Sequence, residues 1–188
     1  VLDKNGWKLT AIYNTHSNAD HIGGNKYLQS QTGCKVYAPG IECGFTCHPV
    51  LEPSFLYGGY PFAELRHKFL MAQPSNAEPL ADAVLPKGLE AFPLPGHFFE
   101  MVGFRTSLSS RETLAKYRIG FIYDVAAYLE TLQAVKAMQA EMFVPAHAEP
   151  TRDIAPLAQY NIDQVQAVAE QILAFCGEPL CFERLLQK

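Results

Sequence analysis

Two periods of hydrophobic patterning interleave along the chain. Residues 8–13 (Lys8-Leu9-Thr10-Ala11-Ile12-Tyr13) are apolar and β-prone, which predicts a buried strand running into a polar turn from Asn14 to Asp20. A helix is predicted over 23–31, with Tyr27 and Leu28 facing inwards and Gly33 as its stop. Residues 35–38 form a second short strand. From 40 to 75 the pattern is irregular, broken by Pro49, Pro53, Pro61 and Pro74 and by the Gly58-Gly59 pair. Long insertions of this kind often cover a site or a subunit contact. Residues 81–106 read as strands, with Pro95-Gly96-His97 in a loop between two of them.

Further along, 110–117 is a short predicted helix. Asp124 is the N-cap of a longer one, with Val125, Leu129, Leu132, Val135 and Met138 as its buried stripe. Met142-Phe143-Val144 is a strand ended by Pro145-Ala146-His147. A packing helix spans 154–175 on a stripe of Leu157, Ile162, Val165, Val168 and Ile172, and 181–188 begins another. There is no internal repeat and no low-complexity stretch. Strands alternating with helices make this an α/β protein.

Composition narrows the class of function. A chain of 188 residues, 48% hydrophobic and 18% charged, fits one globular domain with a sizeable core, not a disordered tail or a collagen-like repeat. A net charge of -4 and a pI near 5.9 argue against a nucleic-acid binder that neutralises phosphates. No apolar run approaches the roughly 18–20 residues that cross a bilayer, and no export signal is visible. The chain begins at Val1 instead of Met, which leaves a removed leader open. Five cysteines, an odd number, read as reduced thiols in a cytoplasmic protein. Cys43 and Cys47 share a helix face by their spacing, but small buried hydrophobes are the favoured reading over a metal or redox pair.

Chemistry concentrates where strands end. His16, His21, His97 and His147 each follow a predicted strand, beside Gly, Pro or Ala or in the polar turn after the first strand. The turn Thr15-His16-Ser17-Asn18-Ala19-Asp20-His21 packs two imidazoles, a carboxylate and an amide into the six positions from His16 to His21. Imidazole and carboxylate are the usual Zn²⁺ donors, and side chains that splay from a tight turn suit a metal pair. A single such histidine is usually structural; four in this context point to a site. His48 and His67 lack a second ligand at metal spacing and read as surface or packing residues. The aromatic group Phe55, Tyr57, Tyr60 and Phe62 reads as core or dimer packing ahead of a substrate pocket. Glu149 reads as a solvated loop carboxylate ahead of a group that holds a ligand in place.

The run Asn14-Thr15-His16-Ser17-Asn18-Ala19-Asp20-His21-Ile22-Gly23-Gly24-Asn25 resembles the His-x-His-x-Asp-His-x-Gly-Gly motif of the metallo-β-lactamase-fold hydrolases. Leu94-Pro95-Gly96-His97 resembles that family's next histidine motif, and Val144-Pro145-Ala146-His147 its last. The resemblance covers about residues 10–147. It implies an αββα sandwich with a dinuclear zinc site, manganese or iron being the alternatives. His16 and His97 would hold the first metal, and Asp20, His21 and His147 the second. Asp20 would also be catalytic, orienting the metal-bound hydroxide that attacks the substrate.

Two departures stand out. Asn18 replaces the family's second histidine, and a neutral amide oxygen is the weaker ligand candidate. The metal-bridging aspartate expected between the third and last histidines has only Asp124 as a counterpart, which reads as a helix cap. The family's N-terminal sheet has no counterpart here either. The expectation is therefore an incomplete sandwich, with segments missing at the start, near Thr106-Ser107 and after Lys188. Residues 1–150 would form the metal-binding core, and 151–188 a C-terminal helical extension of it.

The resulting reading is a cytoplasmic metal-dependent hydrolase of a small ester, thioester, lactone or phosphoester. Its partner would be a small-molecule substrate, with no nucleic acid or membrane and with a homodimer as the candidate assembly. The alternatives are a non-catalytic ligand-binding or regulatory member with a degraded first metal site, and a mononuclear iron oxygenase or redox protein.

Overall fold

Residues 35–38 form the strand at the centre of the principal sheet, and burial explains the apolar run Val36-Tyr37-Ala38 that follows the exposed Lys35. The computed structural model describes residues 2–105, 121–145, 147–177, 181 and 184. It divides the chain into two units, 1–105 and 106–188.

The first unit opens with a short helix, α1 (Leu2–Asn5), and then builds a three-stranded parallel sheet in the order β1 (Ala11–Tyr13), β2 (Lys35–Ala38), β3 (Ala77–Pro79). Val36, Tyr37 and Ala38 are all buried, as a central parallel strand covered on both faces requires. Tyr13 and Tyr37 are register partners, and their rings stack with centroids 5.4 Å apart. β1 is shorter than the predicted 8–13 because the strand opposite it starts only at Lys35, the register partner of Ala11.

Two helices, α2 (Ala19–Ile22) and α3 (Asn25–Thr32), connect β1 to β2 where one was predicted. Gly33 ends α3 as expected, with φ at 67° and its N–H donating to Gln29 O. Tyr27 does not face inwards. It is 67% exposed, because the inner position belongs to Asn25, whose Nδ2 donates to Asn14 Oδ1 over 2.8 Å in a buried bond.

The 40–75 insertion is less irregular than its prolines predict. It folds as α4 (Glu42–Cys47), α5 (Leu51–Tyr57) and a 3-10 turn at Ala63–Leu65. Pro49 precedes α5, and Pro53 sits in its first turn, where the missing N–H has no intrahelical partner to lose. The thiols of α4 meet sheet backbone. Cys43 Sγ donates to Ala38 O (3.3 Å), and Cys47 Sγ accepts from Ala77 N (3.5 Å).

The second sheet is an antiparallel pair, β4 (Glu90–Pro93) and β5 (Val102–Arg105), joined by a loop that carries His97. Among the described residues of 81–106, strand structure is thus confined to these two segments. With its helices and two sheets, the unit has the mixed α/β character that the sequence implies.

In the second unit, α6 (Val125–Ala137) packs against α7 (Ala155–Phe175). Asp124 caps α6 as predicted, its Oδ1 accepting from Ala127 N at 2.9 Å. The α6 stripe is only half-buried, and Val125 is 51% exposed, because polar bonds share the α6–α7 contact. Tyr128 Oη donates to Asn161 Oδ1 (3.3 Å), and Lys136 Nζ donates to Gln159 Oε1 (2.6 Å). On α7, Ala158, Ile162 and Val165 are buried, while Ile172 is exposed near the end of the helix. The strand predicted at 142–144 is a single bridge, Phe143 to Thr151. The helix expected at 110–117 and the Thr106-Ser107 junction lie outside the described residues. So does the helix expected from 181 onwards, apart from Cys181 and Arg184.

Candidate metal centre

The turn after β1 is held by backbone bonds on both sides. Asn14 N donates to Tyr37 O on β2 (2.9 Å), and Val102 N at the start of β5 donates to Thr15 O (2.9 Å). Parallel strands leave such loops at their carboxyl ends, where α/β folds usually build sites. The carbonyl of Asn18 then starts α2 by accepting from His21 N (2.9 Å) and Ile22 N (3.1 Å).

This local geometry collects three imidazoles of the first unit. The rings of His16 and His21 lie 4.1 Å apart between centroids, and those of His16 and His97 lie 5.0 Å apart. His16 is 2% exposed, and its Nδ1 is hydrogen-bonded to Thr15 Oγ1 at 2.9 Å, which fixes the ring. Asp20 Oδ2 lies 3.6 Å from His21 Nε2. His97 follows Gly96, whose φ of 114° turns the loop back. Behind it, Phe98 is fully buried in a cluster with Phe45, Phe55 and Phe99.

Two buried carboxylates brace the site from the insertion. Glu42, with no exposed surface, accepts from Ser17 N (3.0 Å), from the Ser17 hydroxyl, and from Glu100 N (3.2 Å). It thereby joins the His16 turn to the His97 loop. Glu100 Oε2 in turn accepts from Ile41 N (2.9 Å). This approach needs a glycine at position 40, since a Cβ there would lie 1.3 Å from Glu100 Oε2 and φ is 25°. Glu52 on α5, 4% exposed, accepts from Asn18 Nδ2 at 2.9 Å. Burial raises the pKa of Glu42 above the ordinary carboxylate range, against the pull of its Ser17 and Glu100 donors. Burial likewise raises Glu52 to about 7, partly offset by the bonds from Asn18 and Ala19 N.

The donor set suits a divalent metal: three converging imidazoles, one carboxylate and an amide oxygen are the nitrogen and oxygen ligands that zinc, iron and manganese take. The Asn18 Oδ1 atom is buried and has no hydrogen-bond partner among the described residues, an acceptor that a cation would satisfy.

Of the residues singled out from sequence, His16, Asn18, Asp20, His21 and His97 lie in the first unit on the two joined loops. His147 belongs to the second unit, in an exposed turn after Pro145. Asp124 is a helix cap. His48 is exposed, and His67 Nδ1 accepts from Phe69 N (3.4 Å). Glu149 is exposed. Tyr57, Tyr60 and Phe62 are exposed instead of forming core, and Arg66 stacks over Tyr60 at 4.6 Å. Only Phe55 of that group joins the cluster behind His97.

Glu42 and Glu52 are the functional residues the sequence reading missed. A clue was present: they are the only charged side chains between Ile41 and Ala63. Isolated acids in an apolar stretch are seldom buried without partners.

The model of the metallo-beta-lactamase superfamily matches residues 1–107, more than half of the chain. This chain belongs to the metallo-β-lactamase superfamily. Among curated superfamily relatives, it is similar to hydroxyacylglutathione hydrolase of Maricaulis maris, 54% identical over 40 residues, 21% of this chain and 16% of that protein. The enzyme of the same name from Methylococcus capsulatus is 51% identical over 50 residues, 22% of this chain and 20% of its own. The chain thus spans about a fifth or less of the length of these relatives. Solved superfamily structures share the fold over much more of the chain. A Burkholderia ambifaria beta-lactamase domain protein aligns with a TM-score of 0.67 and 19% identity, over 98% of this chain and 63% of that one. A Cronobacter sakazakii metallo-β-lactamase variant aligns at 0.63 and 16% identity, over 95% and 80%. The di-iron-bound form of TTHA1623 aligns at 0.55 and 21% identity, over 80% and 75%.

Proposed function

We propose that this superfamily member is a metal-dependent hydrolase of a small ester, thioester, lactone or phosphoester. The observation that carries this reading is the convergence of the His16, His21 and His97 rings beside the Asp20 carboxylate. His16, His97 and Asn18 are assigned to one metal and Asp20, His21 and His147 to a second, with His147 assigned from its sequence motif. Zinc is the first choice, and manganese and iron are the alternatives; the di-iron form of one structural relative keeps iron in view. Residues 1–150 are assigned as the metal-binding core and 151–188 as its extension.

When bound, a divalent cation supplies Lewis-acid polarisation of an acyl or phosphoryl oxygen and acidifies a water. The chain's own residues supply the rest. Asp20, more than half exposed, orients the attacking water by accepting its hydrogen bond. Phe98 and its ring cluster form a water-excluding wall behind His16 and His97. Thioesters head the substrate classes, because the curated relatives carry the name hydroxyacylglutathione hydrolase over the stretch they share with this chain.

Five unbridged cysteines support a reducing compartment, which we assign as the cytoplasm. No helix among the described residues is long and apolar enough to cross a membrane.

The test is turnover of a panel of esters, thioesters, lactones and phosphodiesters by zinc-reconstituted protein. Hydrolysis that a chelator abolishes, that zinc restores, and that Asp20→Asn and His21→Ala remove supports the proposal. Zinc-loaded protein that turns over no member of the panel refutes it and favours the non-catalytic alternative, for which Asn18 in place of histidine is the supporting feature.

A further inference from the structure

We infer that Glu52 is a positioning residue that turns the Asn18 side chain so that its oxygen, and not its nitrogen, is offered as a ligand to the divalent cation. The inference rests on the metal reading above and concerns how this chain compensates for the imidazole it lacks at position 18.

Three observations converge on it. First, Asn18 stands at the N-cap position of α2, where asparagine ordinarily accepts from the first free N–H groups of the helix. Here its side chain makes no capping bond among the described residues, and its backbone carbonyl starts the helix instead. The amide is held for something else.

Second, its orientation is fixed by a hydrogen bond. Glu52 Oε1 accepts from Asn18 Nδ2 at 2.9 Å, and Ala19 N donates to the same carboxylate. The amide thus presents its NH₂ to Glu52, whose carboxylate oxygens take up the two N–H donors. Because the amide is planar, Oδ1 then points away from Glu52.

Third, Oδ1 is buried and has no hydrogen-bond partner among the described residues. It lies on the same short turn as His16, Asp20 and His21, whose side chains supply the other donors. A buried amide oxygen in that state is a ready ligand for a hard or borderline cation. The carboxylate behind it draws on the NH₂ and raises the electron density on the oxygen, as carboxylates do for metal-bound imidazoles.

The experiment is a zinc competition titration with a chromophoric chelator, run on the wild type, Asn18→Ala, Glu52→Gln and the double variant, each checked by circular dichroism. Glutamine preserves the volume of Glu52 but offers an NH₂ as readily as an oxygen, so it no longer dictates the amide orientation. The expected result is a zinc affinity lowered about 10- to 100-fold in Asn18→Ala and about 10-fold in Glu52→Gln, with the double variant no weaker than Asn18→Ala alone. In the ¹⁵N-labelled wild type, the Asn18 side-chain NH₂ resonances should shift as zinc is added, which is read whether or not the variants fold.

A merely supporting role for Glu52 would lower affinity equally in the presence and absence of Asn18, and that overturns the inference. So does an Asn18 NH₂ signal that stays still on zinc addition. If the wild type binds zinc while both single variants bind it equally well, the inference falls and the metal reading stands. If the folded wild type binds no zinc, manganese or iron, both fall.

Discussion

Replacing Glu42 with alanine is the sharpest perturbation available away from the metal-binding side chains. The carboxylate is fully buried and receives Ser17 N, the Ser17 hydroxyl and Glu100 N. The hydroxyl can rotate to another acceptor, but the two backbone N–H groups cannot. Each buried N–H left without a partner costs about 1–3 kcal/mol, so the pair costs about 2–6 kcal/mol. Part of this is recovered, because the variant no longer buries a carboxyl whose ionised form is disfavoured. A net loss of about 3 kcal/mol is expected, a large share of the 5–15 kcal/mol that holds a typical domain. Urea unfolding of the metal-free protein should show a midpoint lowered by more than about 1 M for an m-value near 2 kcal/mol/M. Hydrogen exchange localises the effect: the amides of Ser17 and Glu100 should exchange about 100-fold faster, by the rule of tenfold per 1.4 kcal/mol. A midpoint unchanged within about 0.3 M, with both amides as protected as in the wild type, would refute the view that Glu42 ties the two loops together.

Other consequences are more local. Gly40→Ala should cost about 2 kcal/mol in urea unfolding, because its Cβ displaces the Glu100 carboxylate and φ is positive; the cost should shrink in a Glu100→Ala background, and an equal cost in both would contradict the contact. Asp124→Ala should lower stability by about 1 kcal/mol in thermal melts through loss of the bond to Ala127 N, and no change would remove the capping assignment. Burial raises the pKa of Glu52 from its ordinary 4.5 to about 7, so the folded state holds its proton more tightly than the unfolded one. The stabilisation this gives is present below the unfolded value and is lost as pH rises through 7. The metal-free wild type should therefore gain stability relative to Glu52→Gln as pH falls from 8 to 5, by about 3 kcal/mol at most. A flat or reversed difference in urea midpoints across that range would show that Glu52 titrates normally.

What could be read from the sequence was whatever local chemistry fixes on its own. The β2 strand is legible because its buried stretch, Val36 to Ala38, must be continuously apolar when covered on both faces. Gly33 and Asp124 announce helix ends through backbone conformation and capping that need no tertiary partner. The His16–His21 turn and His97 were visible because ligand types crowd at strand ends. Face and partner were harder. Tyr27 points outwards because Asn25 bonds to Asn14, and nothing in the local pattern encodes that choice. Helices of six and seven residues, such as α4 and α5, are too short to show a period, so Glu42 and Glu52 passed as loop acids. The exposure of Val125 likewise depends on how α6 meets α7, which only the folded unit decides.

The central claim is that His16 and His97 hold one metal ion and that His21, with Asp20, holds a second beside it. An anomalous difference map at the zinc edge, from crystals of the protein grown with zinc, addresses it most directly. The expected result is one strong peak within coordination distance, about 2.0–2.1 Å, of ring nitrogens of His16 and His97, and a second at that distance from a ring nitrogen of His21. Anomalous peaks found only at surface residues, with the three rings hydrogen-bonded to one another or to water, would contradict it.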